Sequence, residues 1–424
     1  MFIDWVLNLG LLSVGILGSA WLWPAYVNRL YSLPVPCIRL DQFRKLHDVA
    51  MFAVPILLLV SIAQLAFNNP PGTSAASVIL TQPGWWTIPW ALSLFGFGGL
   101  LLTISTRLLR THPPGYKINS REIVDVEQEL GYRPQGEGPH QGMLKVPGNQ
   151  AFTFEANEKK FTFPNLHKDL DELTILHLSD LHFIGTLDLP YFEAICERAA
   201  SWNPDLIVFT GDLLDKQELI SWLPHTLGKL RAPLGCYYIL GNHDWHLECG
   251  PIRQQLLELG WQDCAGRVRE VKYHNGCIHI GGDERPWMGN AAEFDAGESE
   301  SFKLLLSHTP DNFPWAQQQG IDLMLSGHNH GGQVVLPIIG PLYSPSKYGV
   351  RYANGEFYSA PTTMHVSRGV SGKHPLRINC RPEITLIHLL KSGQASKTNE
   401  INNANQQCNS ILVKTESFPT VVNR

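Results

Sequence analysis

Seven side chains in this sequence are of types that hold metal ions, and each follows a short apolar run: Asp180, His182, Asp212, Asn242, His308, His328 and His330. Asp180 and His182 leave the run Leu173–Leu178 two residues apart, and in extended chain that spacing points both side chains the same way. Gly211-Asp212-Leu213-Leu214-Asp215 follows Leu206–Phe209, and Gly241-Asn242-His243-Asp244 follows Cys236–Leu240. His308 closes Lys303–Ser307, and Gly327-His328-Asn329-His330-Gly331-Gly332 follows Asp322–Ser326. Each piece alone has a plain structural reading. Asp-x-His occurs in ordinary loops, Gly-Asp-x-x-Asp is most often a turn, Gly-Asn-His-Asp suits a type I′ turn, and a lone His308 suits a surface or core position. Five such pieces, each just after an apolar run, make coincidence a poor account of them.

The set comprises two carboxylates, one amide and four imidazoles. A single tetrahedral zinc site needs only about four ligands. The inventory fits two divalent ions about 3.5–4 Å apart that share a bridging group. A bridge must be an anionic oxygen donor with two lone-pair directions, which makes Asp212 the candidate. With no thiolate in the set, Mn²⁺, Fe or Zn²⁺ are favoured over softer ions, and mixed nitrogen and oxygen ligation does not choose among them.

The elements that must position these residues are short strands alternating with amphipathic stretches, which implies an α/β fold with strands layered against helices. The strand candidates are Leu173–Leu178, Leu206–Phe209, Cys236–Leu240, Cys277–Gly281, Lys303–Ser307 and Asp322–Ser326. Helical stretches such as Tyr191–Trp202 and Ile252–Leu259 fall between some of them. Ligands in open α/β sheets gather at the carboxyl edge, where these residues lie. Between Trp261 and Met288 a further pair of strands completes a second sheet, followed by the turn Gly282-Asp283-Glu284-Arg285-Pro286. Arg285 and Asp283 read better as a solvated turn than as cleft residues. Lys347, Arg351 and Arg368 are candidates for a second phosphate, with solvent-facing charge as the default reading.

Ahead of this domain, residues 111–165 mix proline, glycine and charge and read as a connector, with a short hairpin in Ala151–Phe163 where phenylalanines alternate with polar residues. Earlier still, Trp5–Trp23, Val49–Phe67 and Trp85–Ser105 lack charge, and each is close to the about 20 residues that cross a bilayer as helix. A signal peptide followed by core helices is the plainer reading, but no basic segment precedes Trp5 and the apolar run recurs three times. Arg29, Arg39, Arg44 and Lys45 separate the first two segments, and Arg107, Arg110, Lys117 and Arg121 follow the third. Asn68–Gly84 carries no Lys or Arg, so the positive-inside rule puts the N-terminus outside and everything after Ser105 in the cytoplasm. This divides the chain into a three-helix membrane region (1–110), a linker (111–165), a catalytic domain (166–391) and a disordered tail (392–424) rich in Asn, Gln, Ser and Thr. A net charge of -5 over 424 residues argues against electrostatic nucleic-acid binding. The eight scattered cysteines, with no Cys-x-x-Cys pair, read as reduced.

The ordered series Asp180-x-His182, Gly211-Asp212-x-x-Asp215, Gly241-Asn242-His243-Asp244, His308 and Gly327-His328-x-His330 resembles the calcineurin-like metallophosphoesterase superfamily over about Leu173–Leu390. Ser326–Gln333, Ser367-Arg368-Gly369, Arg377-Ile378-Asn379 and Pro382-Glu383 resemble its bacterial membrane-associated YkuE/YaeI-type phosphodiesterase subgroup, with Asn329 where that subgroup often has Thr. The resemblance implies a two-sheet β-sandwich flanked by helices. It implies that Asp180, His182, Asp212 and His330 hold one metal, and Asp212, Asn242, His308 and His328 the other. His243 would hydrogen-bond the phosphoryl oxygen or protonate the leaving group, while Asp215 and Asp244 would orient backbone or imidazole groups, a cap or turn role being as reasonable for either. Two cations would neutralise the phosphoryl shell and lower the pKa of a bridging water, generating a hydroxide nucleophile near neutral pH. The expected protein is thus a membrane-anchored, dinuclear phosphoesterase for phosphodiester or pyrophosphate bonds, with a lipid-linked substrate preferred from location. The alternatives are a soluble phosphodiester such as a cyclic nucleotide, or a non-catalytic membrane sensor of phosphorylated ligands.

Overall fold

In the computed structural model, which describes residues 2–68, 84–295 and 301–393, the three apolar stretches form long helices: α1 (Phe2–Tyr31), α2 (Cys37–Asn68) and α3 (Gly84–Leu108). Within them Val6–Tyr31, Arg39–Gln64 and Thr87–Leu108 are long and apolar enough to cross a membrane. Small residues set their closest approach: a side chain at Gly18 would collide with the Ser93 carbonyl, and one at Gly96 with the Gly18 carbonyl. Indole donors find hydroxyl partners across the helices, Trp21 Nε1 to Thr103 Oγ1 at 3.2 Å and Trp90 Nε1 to Ser61 Oγ at 3.1 Å.

The strands in chain order are β1 (Lys117–Asp125), β2 (Thr153–Phe163), β3 (Thr174–Leu178), β4 (Leu206–Thr210), β5 (Cys236–Ile239), β6 (Trp261–Asp263), β7 (Val268–Tyr273), β8 (Gly276–Asp283), β9 (Phe302–Ser307), β10 (Leu323–Ser326), β11 (Val335–Leu336), β12 (Gly340–Pro341), β13 (Gly355–Ser359), β14 (Thr362–Val366) and β15 (Glu383–Lys391). A seven-stranded sheet has the order β1-β2-β15-β3-β4-β5-β6, and a six-stranded sheet the order β13-β14-β10-β9-β8-β7. β3 to β6 run parallel in the first, and β8, β9, β10 and β14 in the second. The central strands are apolar throughout because both of their faces are buried. Leu206 and Val208 of β4 face the other sheet, whereas Ile207 and Phe209 face an outer layer of helices α4 (Leu189–Ala200) and α5 (Cys249–Glu258). The two sheets meet through Ile175, Ile239, Ile280, Leu304 and Leu325.

The stretch expected as a connector contributes two strands, β1 and β2, to the larger sheet. No hairpin forms within Ala151–Phe163; β2 is one strand, antiparallel to β1 and parallel to β15. Its phenylalanines serve two cores, Phe152 and Phe154 on the helical side and Phe161 and Phe163 inside the sandwich. β1 is hidden in the sequence because it is a mostly exposed polar strand at the sheet edge. The expected tail lies outside the described residues from 394 onward, as does the loop between α2 and α3 from 69 to 83. Cys196, Cys236, Cys249, Cys264 and Cys380 are thiols outside any disulfide among the described residues.

The helices dock on the sandwich. Asn28 donates to the Leu342 carbonyl at 2.9 Å and accepts from the Ser344 N–H at 2.7 Å. Arg110 reaches the Asn354 and Glu356 carbonyls at 3.2 and 2.8 Å. Replacing Gly96 by Leu is expected to destabilise the detergent-solubilised protein by about 1–3 kcal/mol, since the backbones must separate. Gly98→Leu, where no neighbouring atom lies within 4 Å of the place a Cβ would take, should leave the melting temperature unchanged.

Candidate metal centre

The chain turns sharply as it leaves the parallel strands. Asp180 (φ 55°), His182 (φ 47°), Asp212 (φ 57°), His328 (φ 69°) and His330 (φ 49°) all adopt left-handed backbone. Each costs an L-residue about 1–2 kcal/mol, so five on one rim mark a constraint that folding alone would not select. Glycine makes the approach possible at Gly211, where a Cβ would lie 2.7 Å from His308 Nδ1, and at Gly327, where it would collide with Ser179 and Asp180.

The structure brings the sequence-predicted residues into two adjoining groups. The ligand atoms of Asp180, His182, Asp212 and His330 lie within 4.8 Å of one another, and so do those of Asp212, His308 and His328. Asp212 belongs to both. Its Oδ2 is 3.4 Å from His182 Nε2 and 3.2 Å from His308 Nε2. Asn242 joins the second group, with Oδ1 at 3.0 Å from His308 Nε2.

Hydrogen bonds on the far side of each ring decide what faces the centre. His308 Nδ1 donates to the Thr210 carbonyl at 2.8 Å and His328 Nε2 to the Pro345 carbonyl at 2.9 Å. His182 Nδ1 donates to Asp215 at 2.8 Å, and His330 Nδ1 to the Ser371 carbonyl at 3.2 Å. In the neutral imidazoles the opposite nitrogens therefore present lone pairs, directed at carboxylate and amide oxygens and at one another; His328 Nδ1 and His308 Nε2 are 3.2 Å apart. His182 Nε2 and Asp212 Oδ2 are buried without a hydrogen-bond partner. A convergence of acceptors is stabilised by a cation, and the donor set fits divalent metal ions.

Electrostatics separate the rings that stay neutral from the one that holds a proton beside Asp212. Burial keeps His328 neutral, with its pKa pulled down to about 3, and holds His330 well below the usual histidine value. Burial also opposes charge on His308, yet Asp212 outweighs it and raises that pKa to about 9. Asp180 is raised by burial. Burial would likewise raise Asp212, but His308 and His243 hold it far below the carboxylate range.

His243 sits at the mouth, its side chain 21% exposed where that of His182 is fully buried. Its backbone N–H donates to Asp212 at 2.8 Å, and its Nδ1 donates to Asp215 at 2.6 Å. Burial disfavours the imidazolium, but Asp215 and Asp212 more than offset this and raise its pKa to about 9. Asp215 clasps His182 with one oxygen and His243 with the other. Asp244 accepts the N–H groups of Gly241, Leu213 and Leu214 at 2.8, 3.0 and 3.0 Å, pinning the β4 and β5 exits together.

Several supporting groups carry no sequence signal of their own. The acceptor carbonyls of Thr210, Pro345 and Ser371 are backbone atoms, and Trp287 packs its ring 4.9 Å from that of His328. Arg377, present in the quoted motif without a role, is buried and donates to the His330 carbonyl at 2.9 Å and to those of Arg368 and Ser371. Arg368 is not a free phosphate ligand: its guanidinium is held by Glu155 at 2.7 Å and Glu383 at 2.9 Å. Arg285 closes on Asp283 at 2.8 Å, while Lys347 and Arg351 lie over the Tyr348 and Tyr352 rings.

Comparison with known proteins follows the same residues. The calcineurin-like phosphoesterase family model matches residues 173–332. The chain is 31% identical over 230 residues to an uncharacterized metallophosphoesterase, YkuE, of Bacillus subtilis, covering 52% of this chain and 79% of the relative. It is 29% identical over 225 residues to phosphodiesterase YaeI of Escherichia coli, covering 51% and 82%. At 24% identity over 285 residues it is similar to the UDP-2,3-diacylglucosamine pyrophosphatase LpxG of Chlamydia muridarum, covering 54% and 86%.

Asp212→Ala should abolish retention of divalent metal by the purified protein, whereas His243→Ala should keep metal and lose about 10²–10⁴-fold in kcat, the usual contribution of a proton-transfer group; elemental analysis beside kinetics reads both. Asp215→Asn removes the charge that favours protonated His243, so the His243 pKa falls. The alkaline limb of kcat/KM should therefore move to lower pH in a pH–rate profile.

Proposed function

As the chain belongs to the calcineurin-like metallophosphoesterase family, we propose that this hydrolase is a membrane-anchored, dinuclear enzyme that cleaves phosphodiester or pyrophosphate bonds of a lipid-linked substrate. The convergence of acceptor atoms on two adjoining points with Asp212 in common carries the reading. Asp180, His182, Asp212 and His330 would hold one divalent ion, and Asp212, Asn242, His308 and His328 the second, the metals being Mn²⁺, Fe or Zn²⁺. When bound, such ions neutralise phosphoryl oxygens and activate water near neutral pH.

The chain's own groups supply the rest. His243 is fixed in one orientation by Asp215, so its Nε2–H faces the mouth and can donate to the phosphoryl oxygen or the departing oxygen. Asp215 also fixes the tautomer of His182, keeping Nε2 as the ligand atom. Asp244 acts on no substrate atom; it holds the two loops that carry Asp212 and Asn242 in register. The ligand atoms lie in buried surroundings while His243 remains partly exposed, which restricts solvent approach to the mouth side.

Membrane anchoring is supported by three helices of spanning length docked onto the catalytic layer. The Arg and Lys distribution favours a catalytic domain in the cytoplasm and an N-terminus outside, with the membrane region at 1–110. One relative is named a phosphodiesterase and another a pyrophosphatase for a diacylated sugar nucleotide, which supports the bond type and the lipid-linked substrate class.

The full chain in detergent with Mn²⁺ is expected to hydrolyse bis-p-nitrophenyl phosphate and, with higher kcat/KM, a diacylated sugar-nucleotide pyrophosphate. Preference for a cyclic nucleotide over the lipid-linked compound would overturn the substrate class. Failure to hydrolyse any phosphoester, with metal bound, would replace the enzyme by a sensor.

A further inference from the structure

Between the long helices and the sandwich lies a cavity of about 910 Å³, walled chiefly by the ends of α1 and α3 and by the segment between residues 335 and 359. Small-ligand sites typically occupy about 300–1,000 Å³. Its charge is one-sided: Arg29, Arg107, Arg110 and Arg351 line it, and no Asp or Glu does. A fifth lining arginine, Arg368, is already neutralised by Glu155 and Glu383.

Among the described residues no carboxylate pairs with the other four in that way. Arg29 donates to the Ala25 carbonyl, Arg107 to that of Ile338, and Arg110 to those of Asn354 and Glu356. The Glu356 carboxylate beyond them is engaged by Lys159 at 2.9 Å. Arg110 and Arg351 lie over the Phe357 and Tyr352 rings, which orient the guanidinium planes without cancelling their charge. The remaining walls mix uncharged polar groups such as Asn28, Thr103 and Gln317 with apolar ones, Trp21 and Leu102 on the long helices and Phe313 and Phe357 on the sandwich side. Leu102, Leu108 and Leu109 leave 65%, 71% and 80% of their surface exposed beside it.

We infer that this cavity binds an anionic phospholipid, its phosphate among the four guanidinium groups and its acyl chains along α1 and α3. Guanidinium forks match phosphate oxygens bidentately. Basic groups at the ends of membrane helices meet headgroup phosphates at that depth, and the exposed Leu102 and Leu109 beside Trp21 offer hydrocarbon a surface that a free inorganic anion does not use. The site is separate from the metal ligands. It rests on the three helices lying in a membrane and not on the hydrolytic reading, so either can fail alone.

The test is thermal unfolding of the full chain in dodecyl maltoside micelles with added dioleoylphosphatidylglycerol, dioleoylphosphatidylcholine or inorganic phosphate. Phosphatidylglycerol should raise the melting temperature, and neither of the others should at equal concentration. The double variant Arg29→Gln with Arg107→Gln should weaken the phosphatidylglycerol response at least about tenfold in concentration. Arg351→Gln, on a loop outside the helices, should weaken it as well and decides the matter if the double variant does not fold. Equal shifts with phosphatidylcholine, or an undiminished response in the variants, would overturn the site. An equal shift with inorganic phosphate would make it a free-anion site and overturn the lipid.

Discussion

The Asp212 carboxylate is the interaction on which the rest of the rim depends. It is a buried anion, 1% exposed, approached by His182 from one side and His308 from the other. An isolated charge at that depth would cost many kcal/mol, so the surrounding groups must be placed closely enough to neutralise it. The His243 N–H, the glycine at 211 and the Asp244 clasp on the neighbouring N–H groups all serve that placement. The left-handed backbone at five ligands is the local cost of the same requirement.

The two sheets divide the candidate metal-holding residues between them. The larger sheet delivers Asp180, His182, Asp212 and Asn242, and the smaller delivers His308, His328 and His330. Neither holds a complete group of ligands, because His330 completes the first group and Asp212 the second. The apolar sandwich interface around Ile175, Val208, Leu304 and Leu325 is therefore what fixes ligand against ligand, although none of these residues approaches the rim chemically.

The central strands are legible in the sequence because a continuous apolar run ending in Gly, Asp or His is seldom anything but a strand entering a loop: Leu206–Phe209 is expected and Leu206–Thr210 is formed. The three helices long enough to cross a membrane are equally plain from their apolar length. β1 is not, since Lys117–Asp125 alternates charge and polarity at an exposed edge and has no core to declare it. β2 misleads in a different way: its aromatic alternation shifts phase between Phe154 and Phe161, which reads as two arms of a hairpin but is one strand buried on both faces. At the site, side-chain types and spacing announce the residues that the fold brings together. The carbonyls that set imidazole tautomers are visible only once the chain is folded, because every residue carries one. Arg368 misleads because charge in a loop looks free until the buried Glu155 and Glu383 are placed beside it.

The position of β15 has a consequence for biosynthesis. Glu383–Lys391 is the last described strand, yet it lies inside the larger sheet, between β2 and β3. It also brings Glu383, which neutralises Arg368 and lies 3.6 Å from Lys159, buried cations contributed by β2 and the exit of β14. During translation the three long helices and β1 to β6 emerge first, and β2 and β3 lack their common neighbour until residues 383–391 leave the ribosome. The larger sheet is thus closed from its middle by the last described strand, so a nascent chain stalled before that segment would display two unpaired strand edges.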